Sequence, residues 1–167
     1  ARAIQARYDG IRDFSADFVH SYRGGLLRTE TRERGTVVVK RPGRMKWIYT
    51  APEQKQFVAD GLKVYSYIPQ DRQVIVSDVP AEDQATTPAL FLAGKGDISR
   101  DFSAAYLTDA ATQDTVALRL TPRKAEPEYE YLIMSVDPTS LQIRALTTRD
   151  AQGGESTLTF TNLKENR

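Results

Sequence analysis

Cysteine is absent from the 167 residues. The chain therefore has no disulfide frame, no thiolate metal site and no cysteine for lipid attachment. Histidine is nearly absent too, with His20 alone. No apolar run approaches the roughly 20 residues of a membrane-spanning helix. Charge of one sign is missing as well: 23 basic and 22 acidic residues leave a formal +1. That balance gives no general reason to expect a nucleic acid or an anionic membrane surface as partner. There is no internal repeat, linker or low-complexity tract. The first residue, Ala1, falls inside a helical pattern without an initiator Met, which fits a mature product trimmed of its leader.

Catalytic signatures are equally scarce. No G-x-S-x-G elbow or Gly-rich phosphate cradle occurs, and Gly94-Lys95-Gly96 is too short to be one. His20 sits on a strand among aromatic and small residues and reads as structural. Asp9 and Asp13 read as solvated charge at a helix end. Glu126, Glu128 and Glu130 share one strand face and read as an exposed polar surface rather than a calcium site. No catalytic residue, metal or cofactor is expected, and the chain is not read as an enzyme.

What is present is strand after strand. Ile4, Tyr8 and Ile11 recur at helical spacing and predict an N-terminal amphipathic helix. Phe14, Ala16 and Phe18 then alternate with polar residues, which is strand spacing. Further strands are predicted over 35–40, 45–49, 57–59, 62–68, 73–76, 116–120, 129–136, 141–148 and 156–160, separated by Gly, Pro and Asp turns. Between them, Thr87-Pro88 can start a helix. The short, very apolar Ala89-Leu90-Phe91-Leu92-Ala93 follows, closed by Gly94. A second short helix is predicted over 97–102. The fold class is mainly β (α+β), in a single domain over 1–167.

Several strands look apolar on both faces. Every position of Val37-Val38-Val39 is apolar, and Ile48 lies opposite Met45, Trp47 and Tyr49. A half-wet antiparallel sheet should alternate cleanly, so both faces are expected to be covered. A β-sandwich would do this. So would a curved sheet with a helix on one side and a hydrophobic ligand cavity on the other. The segment 89–93 favours the cavity, because it is too short to span a core and apolar nearly all round, as a movable plug would be.

The basic cluster Lys40, Arg41, Arg44 and Lys46 is too short for a nucleic-acid patch. Arg41 differs from its neighbours in one respect. If Val37 and Val39 face inward, alternation puts Arg41 on their face. A cation entering an apolar cavity must find partners, and its planar fork of donors suits the backbone carbonyls of a lid.

The runs Val38-Val39-Lys40-Arg41-Pro42-Gly43-Arg44-Met45-Lys46-Trp47, Val58-Ala59-Asp60-Gly61 and Val64-Tyr65-Ser66-Tyr67-Ile68-Pro69 resemble the LolA family. So do Phe14-Ser15-Ala16-Asp17-Phe18, as its first strand, and Thr87-Pro88-Ala89-Leu90-Phe91-Leu92, as its lid segment. The resemblance covers most of the chain in the right order. It implies an incomplete antiparallel β-barrel enclosing a hydrophobic cavity, with an N-terminal helix and short lid helices. It also implies a periplasmic monomer carrying acylated lipoprotein from an inner-membrane ABC transporter (LolCDE-like) to an outer-membrane receptor (LolB-like). Arg41 matches the arginine that holds the lid, Met45 and Trp47 match the cavity lining, and Leu90, Phe91 and Leu92 match the lid. Val37, Val39, Tyr49 and Tyr65 complete the candidate lining. Two departures stand out: the chain stops at Arg167, short of the family's further strand and tail, and the stretch 23–34 is long and charged. Free-lipid carriage and an acyl-binding sensor of the RseB type are the alternative functions.

Overall fold

The computed structural model describes residues 1–24, 28–79, 91–92, 96–112 and 114–166, the side chains of 109–112 excepted. Its elements are α1 (Arg2–Asp9), β1 (Asp13–Arg23), β2 (Glu30–Lys40), β3 (Arg44–Ala51), β4 (Lys55–Asp60), β5 (Lys63–Ile68) and β6 (Gln73–Asp78). After these come α2 (Ile98–Asp101), β7 (Phe102–Thr112), β8 (Thr115–Pro122), β9 (Tyr131–Val136), β10 (Ile143–Arg149) and β11 (Glu155–Glu165). The strand order is β6-β5-β4-β3-β2-β1-β11-β10-β9-β8-β7. Among the described residues its two end strands are not neighbours, so the sheet they form is open. Mainly β with few helices is the class read from the sequence, and the open antiparallel sheet is consistent with the incomplete barrel expected.

Two compact units emerge from the contacts. The first comprises Ala1–Tyr8, Val19–Arg32 and Asp97–Phe160. Ile4 and Tyr8 lie one helical turn apart on α1, and both are buried. The Tyr8 hydroxyl accepts a hydrogen bond from the Ile143 N–H at 3.0 Å, and Gln5 Oε1 accepts one from Ile98 N–H at 2.8 Å. Asp97 caps α2 by accepting from the Arg100 N–H. Along β9 Leu132, Met134 and Val136 are buried, in strict alternation with partly exposed neighbours.

The second unit comprises Asp9–Phe18, Glu33–Gly96 and Thr161–Arg167. Its inner face is set by phase and register. Gly35, Val37 and Val39 are buried on β2 while Thr36, Val38 and Lys40 are exposed. Val37 stands opposite Trp47 and Val39 opposite Met45; Trp47 in turn faces Phe57, and Met45 faces Ala59. Residues directly opposite one another share a face, so these seven form one continuous surface. Burying side chains of this size contributes about 1.5–3 kcal/mol apiece.

Gly35 is required where it stands. A Cβ there would lie 1.8 Å from the Ile48 carbonyl oxygen, at a shift of register between Arg34 and Gly35. Backbone cannot move aside as a side-chain tip can. Gly35→Ala is expected to cost about 2 kcal/mol of unfolding free energy, measured in urea. A wild-type midpoint would show that the strand relaxes.

The expectation that both sheet faces are covered fails. Val38 is 50% exposed, and Val74, Ile75 and Val76 on β6 are each more than half exposed. The run Val37-Val38-Val39 is therefore an alternating strand whose outward position happens to be valine. Strand β7, unforeseen from the sequence, occupies the end of the sheet order. Ser103 to Tyr106 are all exposed along it, so no alternation marks it. β2 also starts earlier than predicted, taking in the charged residues from Glu30 onward.

Candidate functional site

Arg41 is presented by a three-residue turn. Lys40 pairs with Arg44, leaving Arg41-Pro42-Gly43 as the loop, with Gly43 at φ 73°. This left-handed glycine is what three-residue hairpin loops favour. The Arg41 N–H is tied to the Arg12 carbonyl at 2.7 Å, which fixes the base of the side chain. The guanidinium then reaches the helical pair Phe91 and Leu92. Its Nε donates to the Leu92 carbonyl and its Nη2 to the Phe91 carbonyl, both at 3.1 Å. The same guanidinium lies 6.0 Å from the centre of the Phe91 ring. A guanidinium, with several donors in one plane, can serve two carbonyls at once.

Phe91 is 8% exposed and Leu92 2%. Both belong to the second unit, whose inner face carries an aromatic cluster. Phe18 meets Trp47 edge-on at 5.1 Å and Tyr49 at 4.9 Å, and Tyr49 meets Phe57 at 5.6 Å. Such offset contacts exceed the value of plain area burial. The Trp47 Nε1–H donates to Met45 Sδ at 3.3 Å, so its polar handle is spent on a soft, largely apolar acceptor.

The rim of this face is charged. Lys55 sits 4.7 Å from the centre of the Tyr49 ring and pairs with Glu33 at 2.6 Å. Burial, and secondly the Glu33 charge, push the Tyr49 phenol up to about 12. A phenol that ionises more readily unfolded than folded supports the fold fully below pH ~10. That support is lost as pH rises from there to about 12. Alkaline unfolding should therefore be steeper in the wild type than in Tyr49→Phe over that window, read by circular dichroism. Parallel curves would mean that Tyr49 titrates as a free phenol.

Among the residues read from sequence, Arg41, Phe91 and Leu92 are joined by hydrogen bonds, and Val37, Val39, Met45 and Trp47 share the inner face. Gly35, on that face, is opposite Tyr49. Tyr65 does not belong with them. It pairs with Val58 and Val76, on the face opposite Ala59 and Trp47, and its hydroxyl lies 3.4 Å from Asp60 Oδ2. The hairpin joining β4 to β5 links odd positions to even ones, so Val64 and Ser66 face inward and Tyr65 outward. Leu90 lies outside the described residues. Phe18, Phe57 and Ala59 were missed, although the phase of β1 and the positions opposite Trp47 and Met45 would have found them. His20 bonds Ser156 Oγ at 2.6 Å, as a cross-strand contact of the first unit. Among the described residues no group of His, Asp and Glu is arranged to hold a metal ion, and no helix is long and apolar enough to cross a membrane.

Known proteins resemble this chain in sequence and fold. A family profile described as "Outer membrane lipoprotein carrier protein LolA" matches residues 9–167. The outer-membrane lipoprotein carrier protein of Cupriavidus necator is 32% identical over 98% of this chain and 76% of its own length. That of Nitrosomonas europaea is 30% identical over 92% and 72%. A conserved protein of Thermus thermophilus, 11% identical, shares the fold with a TM-score of 0.59 across 99% of this chain and 87% of its own. With its family profile matched from the first strand to the last residue, the chain belongs to the LolA family of outer-membrane lipoprotein carriers.

Proposed function

We propose that this chain is a periplasmic carrier, acting as one domain over 1–167, that shields lipoprotein acyl chains and moves them from the inner to the outer membrane. The observation that carries the reading is the grip of Arg41 on the carbonyls of Phe91 and Leu92, beside the apolar face of Val37, Val39, Met45, Trp47 and Phe57. Phe91 and Leu92, held by Arg41, compete with acyl chains for that apolar face. Membership of a carrier family supports the cargo class and speaks for carriage over catalysis. An inner-membrane ABC transporter of the LolCDE type supplies the cargo and a LolB-like receptor accepts it.

Magnitudes explain why a latch is needed. Burying an acyl chain is worth ~0.8 kcal/mol per CH₂, so about 15 methylenes supply roughly 12 kcal/mol before ordering costs. Binding is easily achieved, and release is the harder step. A closed state stabilised by Arg41 competes with cargo, and apparent affinity falls with the fraction of protein that is open. The carrier thereby keeps enough affinity to extract an acyl chain and little enough to surrender it.

Native mass spectrometry of the protein, expressed in a bacterial periplasm and purified without detergent, tests the cargo class. A bound triacylated lipoprotein or its peptide is expected. Free phospholipid instead would reassign the cargo. An empty protein that also refuses added acylated peptide would remove the carrier reading.

A further inference from the structure

We infer that the outer face of the β2–β3 hairpin is a second binding surface, and that its partner is an acidic protein segment carrying one exposed apolar side chain. Lys40, Arg44 and Lys46 all point outward there and all are exposed. Lys40 stands directly opposite Arg44, and Lys46 opposite Val38, two residue pairs further along and the next on this face. Like charges opposite one another across strands destabilise the pair, and among the described residues none of the three forms an ion pair with a carboxylate. Asp60, opposite Arg44 on the next strand, is committed elsewhere: its Oδ1 accepts from the Leu62 and Lys63 N–H groups, both at 2.8 Å. These bonds hold its carboxyl below the usual range. The local excess is therefore positive although the whole chain is nearly neutral.

The cations surround an apolar floor. Val38, at 50% exposure, and Val58 lie in a depression of about 300 Å³ whose rim carries Lys40, Arg44 and Lys46 together with one carboxylate, Asp60. A hollow of that size takes one apolar side chain. A second copy of this chain would bring its own cations. Charge and shape together thus select a leucine- or phenylalanine-like side chain flanked by carboxylates. The surface lies on the opposite face of the strands from Trp47 and Met45, so a partner there would leave the inner face free.

A short synthetic peptide with one leucine between Glu-Asp pairs, titrated into the isotope-labelled full chain, tests this by NMR. Shifts confined to Val38, Lys40, Arg44, Lys46 and Val58 are expected, weakening about tenfold from low to high salt. The triple variant K40E/R44E/K46E, with an unchanged thermal midpoint, should weaken binding about tenfold or more. Exchanging the peptide leucine for serine should weaken it several-fold. The proposal is overturned if the peptide leaves these signals unmoved at millimolar concentration, or if charge reversal leaves affinity unchanged. Flotation of the wild type but not the variant with phosphatidylglycerol vesicles, without peptide binding, would overturn it in favour of a membrane. None of these readouts depends on acyl cargo.

Discussion

Arg41→Leu is expected to hold an acylated peptide more tightly than the wild type and to pass it on about tenfold more slowly. The reasoning rests on two hydrogen bonds from one guanidinium to the carbonyls of Phe91 and Leu92, each 3.1 Å long. Hydrogen bonds involving a charged group are worth ~1.5–3 kcal/mol where buried. Arg41 is only half-buried, so the lower figure applies, and ~1.4 kcal/mol is a factor of ten in the closed-to-open ratio. Leucine fills similar space near the helical pair but holds no carbonyl. The open fraction rises, apparent affinity rises with it, and the driving force for release falls. Arg41→Lys should lie between, because an ammonium lacks the planar fork that reaches two carbonyls together. Transfer from a loaded carrier to receptor or to liposomes, followed by fluorescence of the acylated peptide, measures this. A wild-type transfer rate in Arg41→Leu would sink the latch.

Leu92→Glu should have a larger effect on the empty protein. Leu92 is 2% exposed, and an unpaired carboxylate in that environment costs about 3 kcal/mol or more. The cheapest escape is for the helical pair to expose residue 92 to water rather than for the sheet to unfold. An environment-sensitive dye should therefore gain several-fold in fluorescence at neutral pH. Burial raises a carboxyl's pKa, so acidification protonates it and favours the closed state again. Dye binding should consequently fall as pH drops. Unchanged dye and cargo binding in Leu92→Glu would show that this residue covers nothing a ligand could reach.

The inward direction of Arg41 was legible in the sequence because two-residue periodicity carries a side chain's direction along a strand, whereas its pairing with the segment of Phe91 and Leu92 came from the resemblance to the LolA family. Val37 and Val39 point inward, and the next odd residue after them is Arg41. The same periodicity, applied through the hairpin after β4, would have placed Tyr65 outside and Phe57 inside. Other features left no periodic trace. The start of β2 is charged and mostly exposed, and Ser103 to Tyr106 of β7 are exposed throughout. Hydrophobic patterning reports burial, and neither segment buries enough to be marked. Val38 shows the converse, where an apolar outward residue imitated a covered face until the register of β2 and β3 was known. Its role beside three cations needed the sheet, because Val58 comes from a strand of its own.

Photo-crosslinking from within the acyl chain tests the central claim most directly. A triacylated peptide with a diazirine near the end of one chain, loaded onto the carrier and irradiated, should form adducts with Val37, Val39, Trp47 and Phe57. Phe91 and Leu92 should at the same time become accessible to hydrogen exchange. Adducts on the outward residues Val38, Val58 or Tyr65, with Phe91 and Leu92 still protected, would contradict the account.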